Sequence, residues 1–287
     1  TELMMSAMLC DIGTEKMKMP GHRFLKKEEM DYVKNHPLLS YLLIAHEPSI
    51  HPNIKRNILC HHRPLRDDLS SNNYPPIKLL LEKLEALRNK YHNEPGHLEI
   101  ANDIAGQIQL LKNDLPYDEN ANILAIASAF ASLTSDVPWR EAYEPAEAVR
   151  MIINNSLFSY SQRTLRDFLD HVAISLCDNR KIINEGDFVI TNIKDSEGKN
   201  FFEAGIISKS DRYQSRPQID RFASIEPIFQ KHPLMHIEGF NLETLKLDPR
   251  SAHFDLRKDD SRHIAYLVDK FENEELYKQL ARMTGQL

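Results

Sequence analysis

Carboxylate, imidazole, thiol and guanidinium groups, the side chains of metal ligation and acid–base chemistry, gather at four places in this 287-residue chain. They are Cys10-Asp11-Ile12-Gly13, His36 before Pro37, the pair His61-His62, and the run Leu133-Thr134-Ser135-Asp136-Val137-Pro138-Trp139-Arg140. Each also has a plain structural reading. Gly13 would close a helix as a left-handed cap, and His36 would stand exposed at a helix start. With 13 histidines in the chain, one adjacent pair is close to chance. Their order says more than their types: an Asp follows an apolar helix, a His precedes Pro at the head of a later one, and a His pair ends a third.

The elements that must position these groups are mostly helices. Nine glycines is a low count and favours helix. The patterns predict helices over 26–34, 38–45 (with Pro37 as its first residue), 54–62, 77–91, 98–112, 121–133, 145–154 and 164–176. Leu80, Leu84 and Leu87 mark one apolar stripe, and Pro95-Gly96 divides that helix from the next. The stretch 121–133 is nearly all apolar or small and reads as a central buried helix. After Cys177 the texture alternates, predicting strands over 187–192, 201–208, 219–229 and 235–240, with a turn at Asp195-Ser196-Glu197-Gly198. The end, 262–283, reads as helix again. The expected fold is therefore mainly α: a helical domain over 1–180, with an inserted helical hairpin at about 77–115, and a small β-rich module with a C-terminal helix over 181–287.

Composition narrows the function. Thirty-six basic and 42 acidic residues give a net charge of −6. That argues against capture of a nucleic-acid polymer or an anionic membrane, while leaving room for a local basic pocket. Three scattered cysteines, Cys10, Cys60 and Cys177, form no disulfide framework and point to a reducing, cytoplasmic setting. No apolar run approaches the roughly 20 residues needed to span a bilayer, so membrane insertion is not expected. Residues 3–9 read as the middle of a buried helix, so the sequence is expected to begin inside a domain.

In register, these motifs resemble the HD-GYP subgroup of the HD superfamily, metal-dependent phosphodiesterases acting on cyclic di-GMP. The family's His-Asp-Ile-Gly-Lys stands as Cys10-Asp11-Ile12-Gly13-Thr14, and its His-Pro junction as Lys34-Asn35-His36-Pro37. Its His-His pair with a later Gly-Tyr-Pro appears as His61-His62 and Asn73-Tyr74-Pro75. Its Ala-Asp-x-Phe-Asp-Ala-Leu-Thr-Ser-Asp-Arg-Pro-Tyr-Arg run appears as 127–140, ending Thr134-Ser135-Asp136-Val137-Pro138-Trp139-Arg140. The resemblance covers residues 3–176, apart from the insert, and implies an HD-type helical bundle.

The resemblance also implies two neighbouring metal sites, and the two fare differently. One would use the family His at Cys10, the signature Asp11 (shared with the other site), the family Asp at Ser128 and residues of an upstream helix, so its ligands are degenerate. The other would use Asp11, His36, His61 and His62, all intact, a set suited to one divalent transition metal, Fe, Mn, Zn or Ni. The phosphate-binding Lys is replaced by Thr14 and the first Arg of the last run by Val137, leaving Arg140 as the candidate for ligand phosphate. The implied function is a weak or inactive phosphodiesterase serving as receptor or scaffold in cyclic di-GMP signalling. The alternatives are an active metal-dependent hydrolase of cyclic di-GMP or another phosphoester, and a metal-free module binding a protein partner or a second copy of itself.

Overall fold

A computed structural model describes the chain except residues 1, 20, 22–24, 63–75, 114–117, 158, 232–234 and 287. The family-like Asn73-Tyr74-Pro75 lies outside the described residues. The chain divides into two compact units, residues 1–143 and 144–287.

The first unit is helical. Its elements are α1 (Glu2–Leu9), a 3-10 turn (Ile12–Lys16), α2 (Lys27–Val33), α3 (His36–Ile44), α4 (Pro52–Cys60), α5 (Ile77–His92), α6 (Leu98–Lys112) and α7 (Glu119–Leu133). α1 is not the buried helix expected: it buries Ser6, while Met4 and Met8 face outward. α5 and α6 pair as a helical hairpin whose stripe, Leu80 and Leu84 with Ile104 and Ile108, meets Leu38, Tyr41 and Leu59 of the bundle. A polar tether runs beside this contact. Lys55 of α4 and Gln107 of α6 both donate to Asp103, and both also donate to the carbonyl of Ala45. α7 is buried only in its first half. Its second half turns the small residues Ala127, Ser128 and Ala131 toward a cavity.

The second unit overturns the expectation of a mainly α protein with a small β module. Helices take about 47% of the chain, but an antiparallel sheet takes about 21%. Five strands, β1 (Phe188–Lys194), β2 (Asn200–Lys209), β3 (Gln218–Lys231), β4 (Met235–Asp255) and β5 (Arg262–Leu267), lie in the order β4-β3-β2-β1-β5. Two features of the sheet account for the difference. β4 runs 21 residues, following β3 through three register shifts that break the alternation a sequence pattern relies on. The stretch 262–267 is a strand paired with β1 rather than the start of a helix. Only α11 (Glu274–Met283) is helical there; Leu276 and Leu280 pack on the sheet, whereas Phe271 is 81% exposed.

The helices α8 (Pro145–Asn154) and α9 (Gln162–Phe168), the π-helical turn Leu169–Ala173 and the short α10 (Ile174–Leu176) belong to this second unit. The division thus falls between Tyr143 and Glu144 rather than near residue 180. Asn154 of α8 shows why: its side chain takes the N–H of Leu267 at 2.8 Å and donates to the carbonyl of the same residue at 3.4 Å, extending the edge of β5. No helix among the described residues is long and apolar enough to cross a membrane.

Candidate metal centre

The first unit brings Asp11, His36, His61 and His62 together. Asp11 ends the α1 segment, His36 opens α3, and His61 and His62 follow the last turn of α4. Gly13 sets how closely the first meets the second. Its N–H donates to Ser40 Oγ at 2.9 Å, and that hydroxyl donates to the carbonyl of Cys10 at 2.6 Å. A Cβ on Gly13 would lie 2.6 Å from both His36 O and Ser40 N. Its backbone has no left-handed φ, so the glycine serves close approach and not the helix cap expected from sequence.

Hydrogen bonds fix the rings. Nδ1 of His36 donates to Val33 O at 2.9 Å, and Nδ1 of His61 donates to Ile58 O at 2.6 Å. A carbonyl only accepts, so in each neutral ring Nδ1 holds the proton and Nε2 carries a lone pair. Those Nε2 atoms stand 3.2 Å apart, and Nε2 of His62 lies 3.0 Å from that of His36. Asp11 Oδ1 is 3.0 Å from Nε2 of His36 and 3.7 Å from Nε2 of His61. The plain reading of His36 as an exposed helix-start residue fails, because it is 7% exposed, and His61 has no exposed surface.

The electrostatics follow from this crowding. Burial pushes the His61 imidazole down to about 4, and burial with the neighbouring rings drives His62 well below its ordinary value. A protonated His36 would hydrogen-bond Asp11 and hold its carboxyl at about 2 against the opposing effect of burial; with neutral rings that donor is absent and the carboxylate faces ring lone pairs. The result is one carboxylate and three ring nitrogens facing one another. Protonating a single ring relieves some contacts but places a charge in a buried site. A cation at the centre relieves all of them. Ligands at about 2.0–2.1 Å from a first-row ion are separated by roughly 2.9–3.4 Å, the range of the N···N spacings found here.

No family model matches the chain, and no curated protein or solved structure matches it.

The remaining sequence candidates fall in different places. Cys10 and Ser128 line the same cavity of about 600 Å³ as Asp11, His36 and His62. The thiol of Cys10 donates to Ala7 O at 3.3 Å, and burial followed by the adjacent Asp11 charge pushes it up to about 12. It is therefore a neutral thiol at pH 7, although its sulfur, an Asp11 oxygen and a His61 nitrogen lie within 4.8 Å of one another. Arg140 does not line the cavity. Its guanidinium donates to the carbonyls of Ser132, Leu133 and Glu141 and lies over the Tyr143 ring, so it closes the C-terminus of α7. Sequence reasoning missed Ser40, which ties Cys10 to Gly13. Nothing about a serine within an apolar helix marks it in advance.

Proposed function

We propose that Asp11, His36, His61 and His62 hold one divalent transition metal, Fe, Mn, Zn or Ni, and that the chain is a degenerate HD-GYP-like protein of cyclic di-GMP signalling. It would act as a receptor or scaffold, with weak phosphodiesterase activity or none. The observation that carries the metal reading is the 3.2 Å contact between two Nε2 atoms, both of which lack a proton when the rings are neutral. When bound, such an ion supplies a Lewis acid for a phosphoryl oxygen and lowers the pKa of its water.

Support for the impaired state comes from the groups around the cluster. Cys10 presents a protonated thiol, Ser128 a neutral hydroxyl, and Arg140 is committed to backbone carbonyls. Before any metal binds, neither Cys10 nor Ser128 offers the charged ligand that the second ion of a two-metal clamp on attacking and leaving oxygens would use. The cavity volume falls within the range of small-molecule sites, roughly 300–1,000 Å³. Cyclic di-GMP itself rests on the sequence resemblance.

Elemental analysis of the purified chain, calorimetry with cyclic di-GMP, and a hydrolysis assay with added Mn or Fe test the reading together. The expected result is about one metal per chain, saturable nucleotide binding and slow or absent turnover. Efficient turnover would identify an active hydrolase instead. Absence of metal, with no change of melting temperature in His61→Ala, would leave a metal-free module.

A further inference from the structure

A second polar cavity, of about 460 Å³, lies within the sheet-containing unit, and every side chain lining it is polar or charged. α9 contributes Gln162, Arg163 and Arg166, the segment before β3 contributes Arg216, and β5 contributes His263. Three guanidiniums meet two carboxylates, Asp167 and Asp260, on a chain whose net charge is −6.

Arg166 is fixed in place. It donates to Asp260 Oδ1 at 2.9 Å, to the carbonyl of Arg262 at 3.2 Å and to Nδ1 of His263 at 2.9 Å. A guanidinium can only donate, so Nδ1 of His263 accepts and Nε2 of that ring carries the proton. His263 thus adds a neutral donor. Asp260 is 85% exposed and screens Arg166 weakly.

Other donors lack acceptors. The Nε2 of Gln162 is buried with no hydrogen-bond partner, and so is the Nε of Arg216. The nearest carboxylate to Arg216, Asp170, is 3.8 Å away and already accepts both the N–H and the hydroxyl of Ser215 at 2.9 Å. Asp170 therefore holds the segment that presents Arg216 without satisfying it. Arg163 forms no ion pair with any described residue and stands exposed on the same face of α9 as Arg166. Buried donors without acceptors are rare in folded proteins, because each forfeits its hydration.

We propose that this cavity binds the phosphoryl group of a small phosphorylated ligand. The lining excludes an apolar ligand, and donors arriving from α9, the Arg216 segment and β5 suit a tetrahedral dianion better than a planar carboxylate. The site shares no residue with the metal cluster and stands or falls independently of it.

The test is calorimetry on the full chain, treated with chelator and dialysed, so that metal in the first unit contributes no anion binding. The probes are inorganic phosphate, pyrophosphate and succinate. Pyrophosphate is expected to bind saturably with a Kd below about 1 mM. Binding should weaken at least about tenfold in Arg216→Gln and in Arg163→Gln, and stay unchanged in His62→Ala. Arg163 is exposed, so its variant reads the site even where Arg216→Gln disturbs the fold, and melting curves check both. No saturation by phosphate or pyrophosphate at about 10 mM, or loss of binding in His62→Ala but not in the arginine variants, overturns the proposal. Succinate binding as tightly as phosphate overturns the phosphoryl assignment.

Discussion

Lys55 of α4 and Asp103 of α6 form an ion pair at 3.1 Å in which the lysine side chain has no exposed surface. The pair fastens the α5–α6 hairpin to the helix that leads into His61-His62. Removing Asp103 leaves a buried ammonium with the Ala45 carbonyl as its one remaining acceptor among the described residues. Asp103→Ala is therefore expected to cost about 3 kcal/mol in urea unfolding, whereas Lys55→Met with Asp103→Asn should cost clearly less. Equal losses in both would mean that packing, rather than the charge, holds the hairpin.

Gly13→Ala tests the approach of the Asp11 segment to α3. The new methyl would press on His36 O and Ser40 N, both backbone atoms that cannot swing aside. Overpacking of this kind costs about 1–3 kcal/mol. The expected signature is a lower melting temperature together with a lower metal content, because Asp11 is displaced from His36. A variant that melts lower but keeps full metal would separate the glycine from the site.

How much of this was legible in the sequence differs between the two units. Helical periodicity located α5, α6 and α7 well, since leucines three and four apart announce a face. The sheet is less legible. β4 is bent by register shifts, and β5 carries His263-Ile264-Ala265-Tyr266-Leu267, an apolar run as suited to helix as to strand until β1 is there to pair with it. At the site, residue types and order singled out Asp11, His36, His61 and His62. They could not show that Val33 and Ile58 carbonyls would fix the ring tautomers, nor that Arg140 would turn back on α7. Those outcomes depend on where backbone carbonyls point, which no side-chain pattern encodes.

Stability should fall with acidity in a defined window. Burial, then the neighbouring Arg166, pushes His263 down to about 4, with Lys194 adding to the depression and Asp259 and Asp260 opposing it. An unfolded imidazole takes its proton near 6.5. Between about 6.5 and 4 the unfolded chain thus binds more protons than the folded one, and folding free energy is lost as pH falls. In chelator-treated protein, His61 and His62, also depressed by burial, act in the same direction. Chemical denaturation across this range should show a steady decline, and His263→Gln should flatten its slope by about one proton. An unchanged slope in that variant would remove His263 from the account.

The last prediction concerns Cys10 and Ser128, the two positions where the resemblance implies metal ligands that this chain does not carry. Cys10 and Ser128 border the cavity that also exposes Asp11 and His36, so side chains at both positions share space with the cluster. Neither is ionised at neutral pH before a metal binds. The Cys10 thiol is held protonated by burial and by the charge of Asp11, and a serine hydroxyl ionises far too weakly. Cys10→His would replace that thiol with a neutral nitrogen donor, and Ser128→Asp would add an anionic oxygen. With Asp11 shared between the two positions, as the family resemblance implies, the double variant would offer a second ion one imidazole and two carboxylates. Elemental analysis should then rise from about one metal per chain toward two, and hydrolysis of cyclic di-GMP by at least about tenfold, because a second ion restores the clamp on the leaving oxygen. Each single variant should gain far less, since one new ligand leaves the second ion weakly held. Metal content fixed at one in the double variant, with hydrolysis no faster than in the starting protein, would show that the loss of these two side chains is not what limits the chemistry.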